Sequence, residues 1–145
     1  MANTEMVIDS IRVELRDYRR AVILKDKAGD RYFHIWVGDY EADAIAAGLS
    51  KVNGSAFVHV FVYSIISKLG ATLKYVLINK FIRANFHAKV FIERGSDVFE
   101  IDCRPSDAIV IALRASAPIF VTEEIVKTVW LTSSEIDKIF RVKKD

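Results

Sequence analysis

Asp102-Cys103-Arg104-Pro105-Ser106-Asp107-Ala108-Ile109 gathers an arginine, a hydroxyl and two carboxylates within a few residues. Pro105 suits the first position of a helix, where its missing N–H has no intrahelical partner and its φ is already set. From Ala108 to Ala115 the chain is apolar except for Arg114, so the body of that helix belongs in a core. A helix start offers free backbone N–H groups and partial positive charge, and Arg104 adds a full charge on a planar fork. Together these groups suit a phosphate, with Arg104 and Ser106 as its contacts. The same residues also have an ordinary reading. Asp107 at the third helical position complements the dipole, Ser106 is a common first-turn residue, and Arg104 pairs with Asp102 on the surface.

The elements that would carry these residues follow from periodicity. Met6 to Leu15 alternates apolar and polar residues as a strand, with the alternation slipping near Asp9-Ser10 as at a bulge. Ala21 to Leu24 and Arg31 to Val37 read as strands joined by the hairpin loop Asp26 to Asp30, where Gly29 is available for positive φ. Asp39 is then an N-cap for a helix with Ala42, Ile45, Ala46 and Leu49 on one face. Phe57 to Leu69 carries two signals. Val58, Val60 and Val62 alternate like a strand, whereas Phe57, Phe61, Ile65 and Leu69 repeat at helical spacing before Gly70. Its length favours helix.

A second series repeats the order. Leu73 to Ile78, Phe86 to Ile92 and Val98 to Cys103 are strands, with a turn at Arg94-Gly95-Ser96, and the Pro105 helix follows. Phe33-His34-Ile35 aligns with Phe99-Glu100-Ile101, and Asp43-Ala44-Ile45 with Asp107-Ala108-Ile109. This suggests a degenerate β-β-β-α duplication. Ile119 to Val121 is a short strand, Thr122 caps a helical turn, and Thr132-x-x-Glu135 is a capping box for a last helix. The expected class is α+β: twisted, mainly antiparallel or mixed sheets with packed helices. Residues 1–145 are read as one domain with its core over about 6–121 and a C-terminal helical extension over 122–145. If the two helix starts converge, Glu41, Asp43, Asp102 and Asp107 gather beside Arg104. Such a cluster suits Mg²⁺ or Mn²⁺, which take oxygen ligands and keep waters for phosphoryl chemistry.

Composition narrows the classes. Hydrophobic residues make up 52% and charged residues 28% of the 145, which fits a packed globule rather than disorder. The net charge of +2 does not by itself indicate nucleic-acid binding, and the basic residues Lys138, Arg141, Lys143 and Lys144 read as a solvated tail. Cys103 is the one cysteine, so an intrachain disulfide and a zinc finger are excluded by count. No His-based dyad can be placed beside it, and a small buried thiol is its ordinary reading. Met1 to Glu5 lacks the features of a secretory signal, and the apolar run Ala56 to Ile66 is too short to span a bilayer. The cytoplasm is the expected compartment, without membrane association. The sequence lacks a Walker A loop, GxGxxG, HExxH and GxSxG, so no organic cofactor is expected.

The stretch Asp102-x-Arg104-Pro105-Ser106-Asp107-Ala108-Ile109 with Ala112-Leu113-Arg114 resembles the signature of the bifunctional nuclease domain family. Ile35-Trp36-Val37-Gly38 with Glu41-Ala42-x-Ala44-Ile45, then Leu69-Gly70-Ala71, then Phe86-x-Ala88 resemble further family blocks in the same order, spanning about Met6 to Val121. The resemblance implies a nuclease acting on RNA or DNA phosphodiester bonds. Charge and helix-start geometry make Arg104 the expected phosphate ligand, Asp107 and Asp102 metal or general-base carboxylates, and Glu41 a supporting carboxylate. The resemblance also points to His59 for proton transfer, although Val58-His59-Val60 stands where the family has Thr-His-Asp, and Ser55-Ala56 replaces an Arg-Pro. A partly buried histidine on an apolar helix is the other reading of His59. The rival function is a non-catalytic homo-oligomeric ligand-binding or regulatory module. A homodimer is expected from the second apolar face offered by Phe57, Val58, Phe61 and Val62.

Overall fold

A computed structural model of the chain describes residues 2–50 and 58–140. Ser55, Ala56, Phe57 and the basic residues Arg141, Lys143 and Lys144 lie outside the described residues. Strands β1 (Asn3–Val13), β2 (Arg20–Asp26) and β3 (Tyr32–Val37) lead into helix α1 (Asp39–Leu49). After α2 (Val58–Lys68), strands β4 (Thr72–Ile82), β5 (Asn85–Arg94) and β6 (Asp97–Cys103) lead into α3 (Pro105–Ala115). The chain continues through β7 (Ile119–Thr122), α4 (Glu123–Val129) and α5 (Ser133–Ile139). The class is α+β, and the seven strands form one mixed sheet in the order β3-β2-β1-β7-β4-β5-β6.

Short β7 holds the two meanders together. It pairs antiparallel with β1, Asn3 opposite Thr122, and parallel with β4, Val76 opposite Ile119. On one face of the sheet, α1 and α3 cover a core built from Val22, Leu24, Val76, Ile78, Ile45 and Ile109. The two helices approach closely because Gly48 has no side chain; a Cβ there would lie 3.1 Å from Leu113. On the other face, α5 puts Ile136 and Phe140 against Ala21 and Ile23. Strand β2 is therefore apolar on both faces, which explains the unbroken run Ala21 to Leu24. The core reaches past residue 121 through Ile125 and Val126.

Several local expectations change by a residue or a face. Gly38, not Asp39, is the N-cap of α1, and Ala44 is buried while Ala46 and Leu49 face outward. Gly29 is not in the positive-φ region. Its loop is closed by the Asp26 carboxylate, which accepts from the Ala28 N–H at 3.0 Å and from Arg31. The segment with two signals is helical as far as the described residues run, and Gly70 (φ +74) ends α2. Its apolar stripe, however, faces out: Phe61, Ile65 and Leu69 are exposed, and His59 is the buried residue of the helix.

Bulges shape the sheet around the site. β1 is bulged between Ile8 and Ser10, as the alternation predicts, and β4 between Leu73 and Tyr75 and again between Ile78 and Lys80. Each adds local twist and bends its strand. Strands β3 and β5 are five positions apart in the sheet, about 24 Å if it were flat. Yet the rings of Phe33 on β3 and Phe86 on β5 have centroids 5.5 Å apart. The curl brings the β4–β5 hairpin tip back toward β3 and leaves a gap between them.

Candidate functional site

The start of α3 fixes the centre of the site. Arg104 is the N-cap residue in extended conformation, Pro105 opens the helix, and Asp107 lies in the first turn. That geometry folds the Arg104 side chain back on Asp107. Arg104 Nε donates to Asp107 Oδ2 at 2.9 Å and Nη2 donates to Oδ1 at 3.0 Å. Helix α2 packs against α3 and brings in a third group: His59 Nε2 lies 2.9 Å from Asp107 Oδ1. His59, 48 positions before Asp107 in the chain, thus shares its carboxylate with Arg104.

Charge settles the proton arrangement. Burial pushes the Asp107 carboxyl upward, but the hydrogen bonds from Arg104 and His59 outweigh it, and the group ends below its ordinary value of 3.8. Asp107 is therefore ionised at neutral pH. An ionised carboxylate only accepts, so His59 Nε2 carries the hydrogen. His59 Nδ1 is buried without a hydrogen-bond partner. A buried ring nitrogen left unpaired costs about 1–3 kcal/mol, which sets His59 apart from a histidine kept only for packing. Tyr40 from α1 stacks on the His59 ring at 6.3 Å between centroids, and its hydroxyl accepts from the Val58 N–H at 2.9 Å.

Glu41 closes the site from α1. Its Oε2 lies 3.8 Å from Arg104 Nη2. Gly38 makes that position available, since a Cβ there would overlap the Glu41 carboxylate. Arg104 remains 64% exposed. With five donors on its guanidinium, it keeps N–H groups free for an anion. Arg104, Glu41 and buried Ser106 line one end of a cleft of about 540 Å³. The rest of its wall comes from β3, through Phe33 and Trp36, and from the hairpin tip, through Phe81 and Phe86. That volume is within the usual range for small-ligand sites.

The expected gathering of four carboxylates does not form. Asp43 points to Arg20, with its Oδ1 2.8 Å from Arg20 Nη1, and Asp39 shares that guanidinium at 3.7 Å. Asp102 is exposed on β6 opposite Lys89 and makes no ion pair with Arg104. Arg104 pairs with Asp107 instead. Among the described residues no three His, Cys, Asp or Glu side chains are arranged to hold a metal ion. Both Asp107 oxygens are occupied by Arg104 and His59. The described residues at this site do not fit a resident Mg²⁺ or Mn²⁺. Burial, with Asp107 and Asp102 adding negative charge nearby, raises the Cys103 thiol to about 11 and keeps it protonated. Sequence reasoning missed the contribution of Tyr40 to the His59 environment and the cleft wall formed by Phe81. Neither leaves a local signal, because both depend on tertiary contacts.

Among the described residues no helix is long and apolar enough to cross a membrane. A model of the bifunctional nuclease domain matches residues 22–134. Two curated relatives from strains of Mycobacterium tuberculosis, uncharacterized proteins Rv1829 and MT1877, are each 34% identical over 122 residues. Those alignments cover 83% of this chain and 73% of each relative. The ordered blocks around Gly38, Gly70 and Arg104, together with a match across most of the chain, establish that the protein belongs to the bifunctional nuclease domain family.

Proposed function

We propose that this chain hydrolyses phosphodiester bonds of RNA or DNA at the Arg104–Asp107–His59 site. The observation that carries the reading is that a phosphate-capable arginine, which lines the cleft, and a proton-capable histidine behind it meet on one carboxylate. Arg104 holds a nonbridging oxygen and stabilises the charge that builds there in the transition state. Asp107 is too weak a base at neutral pH to take a proton efficiently. Its role is to orient His59 and to stabilise the imidazolium once formed. The proton from the attacking water goes to Nδ1 as the water oxygen bonds to phosphorus, and the bond from phosphorus to the sugar oxygen breaks with that oxygen taking a proton from solvent. Nδ1 is shielded in the present conformation, so the step requires the start of α2 to shift. Glu41 and Ser106 position Arg104 and the phosphate.

The test is cleavage of labelled RNA and single-stranded DNA, with Mg²⁺, with Mn²⁺ and with chelator. Wild type is compared with Arg104→Ala and Asp107→Asn, both verified as folded. Losses of about 10²-fold or more in both variants are expected. Full activity in both would overturn the assignment.

A second reading rests on α2. Its exposed Val58, Phe61, Val62, Ile65 and Leu69 form an apolar face wider than isolated surface residues explain. A homo-oligomeric binding or regulatory module would cover that face with a second copy. Sedimentation equilibrium tests it: wild type should be dimeric and Phe61→Glu monomeric.

A further inference from the structure

The net charge of +2 conceals a separation of charge along the chain. Between Asp43 and Glu93 there is no Asp or Glu, yet that span carries Lys51, Lys68, Lys74, Lys80, Arg83 and Lys89. The β4–β5 hairpin lies within it and ends in a two-residue turn at Arg83-Ala84. Both turn residues are left-handed, with φ of 53° and 65°. Such turns are ordinarily made with asparagine and glycine. Here the strained tip presents an exposed arginine, and strain of this kind concentrates where a function holds it in place. Lys80 and Arg83 are exposed and meet no carboxylate among the described residues.

The two faces of the hairpin differ. Phe81 pairs with Phe86 across the ladder, and Lys80 pairs with His87 on the opposite face. The Phe81 and Phe86 rings are 4.5 Å apart between centroids, and Phe86 is backed in turn by Phe33. Phe81 is therefore a partly exposed ring on a fixed aromatic ladder. It lines the same cleft as Arg104, as does Ala84, the neighbour of Arg83. Aromatic rings interleaved with unpaired cations are the pattern of a surface that stacks bases and tracks a phosphate backbone. A base already paired and stacked in a duplex cannot offer its face to such a ring.

We propose that the β4–β5 hairpin tip is an arm that grips a single-stranded polynucleotide along the cleft. Phe81 stacks an unpaired base, and Arg83 at the tip takes the flanking phosphate. The inference rests on the nuclease reading only in taking Arg104 as the contact for the central phosphate.

The test is fluorescence anisotropy of the full chain with cleavage-resistant phosphorothioate oligonucleotides. Single-stranded DNA, single-stranded 2′-O-methyl RNA and a duplex of matching sequence are compared across a salt series. Either single strand should bind at least about 10-fold tighter than the duplex. Arg83→Gln should weaken binding and lower the slope of log K against log salt by about 1. Phe81→Ala should weaken it by about 5- to 100-fold. Phe81→Leu, which keeps apolar bulk, separates lost stacking from a damaged hairpin and should bind nearly as weakly. Equal affinity for duplex, or hairpin variants that match wild type in affinity and salt slope, would overturn the proposal. Hairpin-dependent binding without any cleavage would sustain it while removing the nuclease reading. Cleavage that needs Arg104 and Asp107 but ignores the hairpin would do the reverse.

Discussion

The shared carboxylate makes a quantitative prediction. Asp107 Oδ1 accepts from His59 at 2.9 Å and from Arg104 Nη2 at 3.0 Å, and Oδ2 accepts from Arg104 Nε at 2.9 Å. In Asp107→Asn one of these oxygens becomes an NH₂ group. The amide orientation that keeps the Oδ1 contacts sets a donor against Arg104 Nε. The other orientation sets donors against both His59 and Arg104 Nη2. The first is the less costly, so one charge-assisted bond is lost and the two that remain lose their ionic partner. A hydrogen bond to a charged group contributes about 1.5–3 kcal/mol, and neutral ones roughly half as much. The total is about 3–6 kcal/mol, and at about 1.36 kcal/mol per decade kcat/KM should fall by about 10²–10⁴-fold. If Asp107 acts through His59, the two residues form a unit. His59→Gln should then cost a similar factor, and the double variant should lie within about 3-fold of the worse single one. Steady-state cleavage of labelled RNA and single-stranded DNA measures all four corners, with circular dichroism melts as a folding control. Losses that multiply, or single variants within about 3-fold of wild type, would refute a shared proton-handling role.

Glu123 is held down to about 2 by hydrogen bonds from Arg31 and then Thr4, against an ordinary value of 4.5. A depressed carboxyl pKa contributes stability above the unfolded value that disappears as pH falls toward the folded one. Urea unfolding should therefore show wild type losing more stability than Glu123→Gln between about pH 4.5 and 2, and the variant should be weaker by about 1 kcal/mol at pH 7. Ala84→Gly should raise stability by about 0.5–1 kcal/mol, because glycine takes φ of 65° without a Cβ penalty, and a shift in the urea midpoint reads it. Gly48→Val should cost about 1–3 kcal/mol in a thermal or chemical melt, because the nearest Leu113 atom stands 3.1 Å from the new Cβ.

Much of this fold was legible in the chain because its signals are local. The bulge at Asp9-Ser10, Pro105 opening α3 and the Thr132–Glu135 capping box each depend on a few neighbouring residues. The site was legible in part for the same reason. Arg104 and Asp107 stand three positions apart on one helix start, so the chain marks both residues, although it suggests Asp102 as the partner of Arg104 and the fold supplies Asp107 instead. His59 meets Asp107 only because α2 packs on α3, and no spacing in the sequence encodes that approach. Asp43 shows the opposite failure. Its place in the first turns of α1 parallels Asp107 on α3, but Arg20 on β2 captures it. Charge pattern along the chain does not reveal which cation is nearest in space. The hairpin tip was unreadable because Arg83-Ala84 lacks the glycine or asparagine that would have marked a turn.

The position of β7 has a consequence for biogenesis. The strand that links the two meanders is encoded at Ile119–Thr122, after both have been specified. During synthesis β1 and β4 must wait with their pairing groups uncovered until this four-residue strand leaves the ribosome. Long-range closure of this kind slows folding and exposes sticky edges to neighbouring chains. A product truncated before Ile119 would be expected to aggregate rather than persist as a half-molecule.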